Sequence, residues 1–181
     1  MSITLTEVTL SDQVEQSLSR LAERFRNVYP FYDEWCKEVY LDIQNGSRSL
    51  YDIQLANDAI GLLLINKSKK SIIKINTIYV YPPYQHMGFG SQAINIFLDK
   101  FAGNAEFIFI QCKEENIAAN KLIKATGFVF IGFLHHTIEQ ARDNLIFVKI
   151  KKENVSLDSA IAAANQVYSL SGRKKFLPTK L

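Results

Sequence analysis

The sequence is poor in the features that mark secreted, membrane or metal-binding proteins. Its 181 residues include two cysteines and three histidines, too few for a disulfide framework and without the spacing of a metal-ligand cluster. The longest apolar run, Ala59 to Ile65, is far shorter than the roughly 20 residues that span a bilayer. The first residues lack the charged and apolar regions of a signal peptide. We therefore expect a cytoplasmic protein with no metal and no membrane attachment.

The sequence also lacks a large excess of positive or negative charge. Lysine and arginine total 21 against 18 for aspartate and glutamate, a net charge of +3. This is well short of the dense basic face of a dedicated nucleic-acid binder. The apolar fraction of 48%, with 22% charged residues, is typical of globular proteins and excludes general disorder. The length matches one ordinary domain.

Hydrophobic periodicity predicts a single α+β domain over residues 1–152. Alternating or continuously apolar runs predict strands, and apolar residues at three- and four-residue steps predict helices. Because helices separate the strands at irregular intervals, we expect a mixed sheet of six or seven strands flanked by helices. Strands are predicted near residue 3 and at 50–55, 60–65, 72–81, 107–112, 128–133 and 145–150, and helices are predicted to start near 11, 35, 90 and 117.

Residues 153–181 are predicted to form a helical C-terminal extension with a basic tail. The alanine-rich stretch Leu157 to Leu170 carries an apolar stripe, and Arg173 to Lys175 follow it. A helix of this length is marginal unless the stripe is buried, either on the chain's own sheet or on a second copy. Small residues slightly favour a helix-on-helix contact in a homodimer: Ala160, Ala162, Ala163 and Ala164.

One segment carries a motif with a chemical meaning. Gln85-His-Met-Gly88-Phe-Gly90-Ser91 follows a predicted strand and opens into a predicted helix. Glycines let the backbone approach a ligand closely. The first amides of a helix have no intrahelical acceptor and lie at the positive end of the helix dipole. The motif therefore predicts a site for a phosphate or pyrophosphate.

The same glycines satisfy the fingerprint of dinucleotide-binding folds. Gly88, Gly90 and Ala93 fit G-x-G-x-x-A, and Glu114 lies near the position of a ribose-binding acid. In those folds the first glycine follows the strand at once. Here residues 82–87 intervene and the loop lies in the middle of the chain, after several predicted strands, so the dinucleotide alternative is the weaker one.

The loop resembles the acyl-coenzyme A pyrophosphate loop of the GNAT superfamily of N-acetyltransferases, (Arg/Gln)-x-x-Gly-x-(Gly/Ala). The resemblance covers roughly residues 1–152. The segment before the loop is similar to that family's fourth strand and its exit, and a later segment is similar to its next helix and strand. These segments are Ile78-x-Val80-x-Pro82-x-Tyr84-Gln85, and Asn116-x-x-Ala119-x-x-Leu122 followed by Gly127-Phe128.

The resemblance implies the GNAT-like fold, with acetyl-CoA as the co-substrate, and assigns cofactor contacts by position. The backbone around Ile78 and Val80 is expected to pair with the pantetheine arm, and Asn116 is expected near the pantetheine or the substrate amine. The Gln85 side chain and the backbone of the loop are expected to hold the pyrophosphate, and the loop residues concerned are His86, Met87, Gly88, Phe89, Gly90 and Ser91.

The catalytic positions depart from the family's pattern. Ile123 stands where the family commonly has the tyrosine that protonates the leaving thiolate. Gln111, Asn76 and Lys74 stand at positions that often supply a base. The resemblance therefore names no conventional acid–base pair. Cys112, which it puts beside the pantetheine, is expected to be a small buried side chain and not a nucleophile.

Other side chains become candidates. His135 and Glu114 are candidates for catalysis because each follows a predicted strand near the cleft that the resemblance implies. Tyr32 and Trp35 are candidates for acceptor binding, whereas Phe31 is expected to pack between helices.

We predict an N-acetyltransferase that passes the acetyl group of acetyl-CoA directly to a primary amine. The acceptor stays open among a small metabolite, a protein N-terminus, a lysine and aminoacyl-tRNA. One alternative is a coenzyme A-binding or protein-interaction module that has lost turnover, because the usual acid and base are missing. Another is a toxin-type acetyltransferase acting on aminoacyl-tRNA, indicated only by Lys67, Lys69, Lys70 and the basic tail.

Overall fold

The computed structural model describes residues 2–27, 31–69, 71–136, 144–168 and 174–179. These residues form one sheet of eight strands together with five α-helices. The strands are β1 (Ile3–Glu7), β2 (Arg48–Leu55), β3 (Asp58–Lys69), β4 (Ile72–Val80), β5 (Phe107–Lys113), β6 (Val129–His136), β7 (Asn144–Ile150) and β8 (Lys174–Pro178). The helices are α1 (Ser11–Phe25), α2 (Tyr32–Gln44), α3 (Phe89–Lys100), α4 (Ile117–Ala125) and α5 (Leu157–Tyr168).

The antiparallel alternation of the strands is interrupted at the centre of the sheet by a parallel pair. The strand order is β1-β2-β3-β4-β5-β7-β6-β8. Among the described strands, β4 and β5 are the one parallel pair, and α3 provides the crossover that parallel neighbours require. The predicted α+β class is confirmed. The count exceeds the expected six or seven strands because the C-terminal tail adds β8 to the edge of β6.

Apolar clusters hold helices on both faces of the sheet. On β5, Ile108 and Ile110 face the cluster that contains α3 residues, whereas Phe107 and Phe109 face the cluster that contains α5 residues. This is the alternation that a strand buried on both faces shows. On β3, Leu62 and Leu64 face α1 and α2. None of the described helices has the length and apolar character needed to cross a membrane.

The C-terminal helix packs on the chain's own sheet. Ala160, Ala163 and Ala164 are buried in one cluster with β5, β6 and β7, whereas Ala162 is exposed. The small residues therefore let α5 approach the chain's own sheet, which is the first of the two predicted alternatives, and a homodimer stays a prediction. The predicted boundary after residue 152 stays a prediction. Lys70 and Arg173, both part of the aminoacyl-tRNA alternative, lie outside the described residues.

The tail strand was missed because its signal is short and mixed. Two apolar residues, Phe176 and Leu177, stand between lysines and a proline, too few for an alternating pattern. In the structure β8 pairs antiparallel with β6 from Gly132 to His136. Phe176 is 3% exposed and belongs to the α5 cluster, so tertiary burial compensates for the weak local signal.

Gly132 provides a test of the β6–β8 contact. It has a φ of 155°, and a Cβ there would collide with the carbonyl oxygen of Leu177. Gly132→Ala should therefore push β8 away and lower the Tm by roughly 2–4 °C or more, as a loss of about 1 kcal/mol does in a chain of this size. Gly103→Ala is the matched control, because the space around its Cβ is open. Equal Tm values for both variants would contradict the packing described here.

Candidate active site

A cleft opens at the centre of the sheet where β4 and β5 separate. Their pairing begins at Ile72–Phe107 and ends at Ile75–Ile110. Beyond that point β4 continues beside β3, and β5 continues beside β7. The backbone edge of residues 76–80 therefore faces the cleft. An extended ligand can add to such an edge as a short strand.

A bulge on β4 lies at the point of separation. Thr77 pairs with Leu64 and Ile75 pairs with Ile65, so Asn76 is an extra residue with no opposite residue on β3. A bulge bends the strand, increases its twist and re-aims the side chains next to it. Asn76 thus lies beside the end of the parallel pairing.

The loop after β4 presents backbone amides at one end of the cleft. A turn of 3-10 helix at Pro82–Tyr84 leads to α3, whose first residue is Phe89. Gly88 precedes the helix with a φ of 82°, in the left-handed region that glycine adopts readily. The Phe89 side chain is 3% exposed and packs in the core, which anchors the start of the helix. The first amides of α3 have no intrahelical acceptor, so this end of the cleft suits an anion.

Gln85 and Gly90 position this loop. The Gln85 Nε2 donates a hydrogen bond of 2.8 Å to the carbonyl oxygen of Val80, so the side chain expected to hold a pyrophosphate ties the loop to its strand. A Cβ on Gly90 would lie 3.3 Å from Leu122 of α4 and 3.9 Å from Val80. Glycine at this position therefore allows α3, α4 and the end of β4 to meet closely.

The first cavity, of about 490 Å³, lies between the loop, the end of β4 and α4. Lys121 also lines it and was missed, because its place on an exposed helix face shows no ligand-binding pattern in the sequence. Met87 is not among the lining residues, and its side chain is 53% exposed. The predicted cofactor residues that line the cavity are Ile78, Val80, Gln85, His86, Gly88, Phe89, Gly90, Ser91 and Asn116.

Asn116 lies where this cavity meets a second one. Its Oδ1 accepts a hydrogen bond of 3.0 Å from the Ala119 amide, which makes Asn116 the N-cap of α4. It lines both cavities, as do Ile78, Tyr79 and Leu122. The asparagine thus has a local structural role as well as a position in the cleft.

The second cavity, of about 700 Å³, extends from the separated strands to α1 and α2. Tyr32 and Trp35, the predicted acceptor-binding residues, line it with ring centroids 5.0 Å apart. Phe25 also lines it, with its ring centroid 5.7 Å from that of Tyr32 and 5.2 Å from that of Tyr79. The prediction that Phe31 packs between the helices is wrong. It lies at the N-cap of α2 with a φ of 59°, is 79% exposed and lines the second cavity.

Polar groups line this cavity where the strands separate. The Asn76 Oδ1 and Gln111 Oε1 atoms are buried and have no hydrogen-bond partner among the described residues. Cys112, next to Gln111, is 8% exposed, as expected for a small buried side chain. Burial raises the pKa of its thiol to about 11, so this thiol is neutral at physiological pH.

Neither of the two catalytic candidates is among the residues that line the two cavities. Glu114 is exposed just beyond the end of β5 and lines neither cavity. His135 is exposed on β6, opposite Lys175 of β8, and β7 separates its strand from β5. β8 pairs with β6 along the segment that contains His135. Ile123 is 2% exposed in the core and also lines the second cavity.

Comparison with known proteins shows that most of the sequence matches one family. Residues 13–128 match the acetyltransferase (GNAT) family, which confirms the resemblance drawn from the motifs. A search of curated proteins gives no significant match.

Solved structures share the fold at low sequence identity. An acetyltransferase from Salmonella typhimurium that modifies the N-terminal serine of ribosomal protein L7/L12 aligns with a TM-score of 0.67 and 19% identity, over 84% of this chain and 96% of that one. A variant of spermidine N-acetyltransferase from Vibrio cholerae gives 0.67 and 20%, over 83% and 94%. A ribosomal L7/L12 alpha-N-protein acetyltransferase in complex with coenzyme A gives 0.68 and 17%, over 83% and 94%. At these identities the likeness establishes the fold.

Proposed function

The chain belongs to the acetyltransferase (GNAT) family, and from this premise we propose that it transfers the acetyl group of acetyl-CoA directly to a primary amine. The observation that carries the proposal is one cleft with two chemically different ends. A loop that presents the first backbone amides of α3 lies at one end and an aromatic cavity at the other, and Ile78, Tyr79 and Asn116 line both parts.

The loop end suits the pyrophosphate of coenzyme A. The start of α3 supplies backbone amides and about half a positive charge from the helix dipole. Lys121 lines the same cavity with a cationic side chain. Apart from the residues next to Gly88 in the chain, no described residue has a heavy atom within 4 Å of the position that a Cβ on Gly88 would take, so a phosphate can approach the backbone there. In one of the structures with this fold, coenzyme A is bound.

The separated edge of β4 suits the pantetheine arm. Residues 76–80 turn their backbone edge towards the cleft because β4 no longer pairs with β5. Ala119 and Leu122 of α4 form part of the opposite wall. An extended amide-bearing chain bound between them would reach the junction at Asn116, with its thioester beside the second cavity.

The chain's own residues would act by positioning. The thioester supplies an acetyl group with a good leaving group, since a thiol is already fairly acidic. Holding the amine against it converts a bimolecular step into an effectively unimolecular one. Ile123 occupies the tyrosine position with an apolar side chain, and Cys112 is kept as a neutral thiol. These groups exclude water and form no covalent intermediate.

The experiment is a transfer assay on the full-length protein with acetyl-CoA and a panel of primary amines. Amine-dependent release of the coenzyme A thiol, with the acetylated amine detected by mass spectrometry, is the expected result. Kinetics that vary both substrates should give the intersecting pattern of a ternary complex. Tight coenzyme A binding with no release for any amine would instead support the module that has lost turnover.

Gly88→Asp tests the loop as the anion site. Aspartate tolerates a positive φ and caps helices well, so the fold should persist. Its carboxylate would occupy and repel the phosphate position, and we expect coenzyme A affinity measured by calorimetry to fall about tenfold or more. Gly46→Asp is the control, because Gly46 has a φ of 77° and equally open surroundings but lines neither cavity. Equal affinity in both variants would place the cofactor elsewhere.

Cys112→Ala tests direct transfer. Because burial raises the thiol pKa to about 11, only about one thiol in a thousand is ionised at pH 8, and the thiolate fraction grows only as the pH approaches 11. The variant should keep kcat within about threefold, and the pH profile below pH 9 should be unchanged. Cys36→Ala is matched, since burial also raises the pKa of Cys36 to about 11. A loss of activity confined to Cys112→Ala, with acetylated Cys112 in the native enzyme, would contradict direct transfer.

A further inference from the structure

Two residues that line the second cavity, Asn76 and Gln111, each carry a buried side-chain oxygen with no hydrogen-bond partner among the described residues. Asn76 and Gln111 are the residues that follow Ile75 and Ile110, the last paired residues of β4 and β5. Their Oδ1 and Oε1 atoms are buried and have no hydrogen-bond partner among the described residues. A buried acceptor without a donor destabilises the fold, so such a group calls for an explanation. A ligand that donates hydrogen bonds would supply one.

The walls around these oxygens are aromatic. The rings of Phe25, Tyr32 and Trp35 on α1 and α2 line the cavity together with Tyr79 of β4. Tyr32 and Trp35 are half-buried, so each still has surface that a bound hydrocarbon group can take out of water. Cavities that combine apolar walls with a few placed polar groups bind ligands of the same mixed character. The ligand of this cavity is therefore expected to carry a hydrogen-bond donor joined to an apolar group.

We infer that the acceptor is a primary amine attached to an aromatic or large aliphatic group, and that Asn76 and Gln111 bind its nitrogen. This rests on the proposed acetyl transfer. The two amide oxygens accept hydrogen bonds from the amine N–H groups, while the rings of α1 and α2 receive the apolar group. The aromatic residues thereby select the acceptor, and the two amides aim it at the thioester.

The amides can do this without acting as bases. The neutral amine nitrogen directs its lone pair at the thioester carbonyl carbon, the C–N bond forms and the C–S bond breaks. The sulfur leaves with the electron pair of the C–S bond. The proton lost by nitrogen passes to that thiolate or to solvent water. Neutral amide oxygens hold the N–H groups and leave the lone pair available, because they accept hydrogen bonds but are not protonated at neutral pH.

The test compares two amines on the full-length protein. 2-Phenylethylamine carries an aromatic group beside its amine, whereas spermidine is a flexible polycation. We expect kcat/KM for 2-phenylethylamine to exceed that for spermidine by about tenfold or more. Trp35→Ala should reduce this preference. A preference for spermidine would overturn the inference while leaving acetyl transfer to amines intact.

Variants on the two strands test the amides. Asn76→Leu and Gln111→Met keep comparable side-chain volumes but remove the acceptor oxygens. Each should raise the KM for 2-phenylethylamine about tenfold, with the KM for acetyl-CoA unchanged. Asn120→Leu is the control, because the Asn120 Oδ1 is also buried without a partner among the described residues yet Asn120 lines neither cavity. Unchanged KM values in both strand variants would overturn the inference.

Measuring amine binding tests the proposed amine site even if the protein acetylates no amine. Calorimetry of 2-phenylethylamine with the coenzyme A-loaded protein should show binding that Asn76→Leu and Gln111→Met each weaken about tenfold. If no amine is acetylated but this pattern holds, acetyl transfer fails and the amine site stands. If amines are acetylated but neither variant affects binding, acetyl transfer stands and the site assigned here is wrong. Since the two variants change different strands, a folding failure in one leaves the other to decide.

Discussion

The architecture of the cleft depends on the early end of the pairing between β4 and β5. These central strands are parallel and stay in register only as far as Ile75 and Ile110. Past the bulge at Asn76, β4 remains with β3, while β5 pairs with β7 along its whole length from Phe107 to Lys113. Beyond the separation each of the two strands therefore has one paired neighbour, β3 for β4 and β7 for β5, and the two no longer pair with each other. The backbone groups that would have joined them are left available to a ligand.

Packing supports both strands next to the cleft. On β4, Ile78 and Val80 remain against the main core beyond the separation, and Tyr79 packs towards α1. On β5, Phe107 and Phe109 lie in the segment that still pairs with β4 and belong to the cluster of α5 and β8. The C-terminal segment therefore stabilises the half of the sheet to which β5 belongs, although it lines neither cavity.

Features that depend on a few neighbouring residues in the chain were predictable from the sequence, whereas features that depend on which strands lie side by side were not. Gly88 and the helix start after it are local signals, and the loop lies where the motif indicated. The bulge also left a pattern in the sequence. Apolar residues occupy odd-numbered positions at Ile73 and Ile75 but even-numbered positions at Ile78 and Val80. One extra residue in a strand shifts the alternation in this way. The position of His135 relative to the cavities was not readable from the sequence, because nearness to a strand end does not say which strand lies alongside.

Burial in this fold raises the cost of charge, and this bears on the two uncharged amides, Asn76 and Gln111, at the point where β4 and β5 separate. Desolvation raises the pKa of Asp52 although Arg20 and a hydrogen bond from Ser17 favour its charged form. A carboxylate base between β4 and β5 would meet the same penalty. Asn76 and Gln111 have the hydrogen-bonding oxygens of such a base without its charge. Uncharged amides at these two positions fit the proposed transfer, in which the amine is held in place by hydrogen bonds and positioning supplies the rate enhancement.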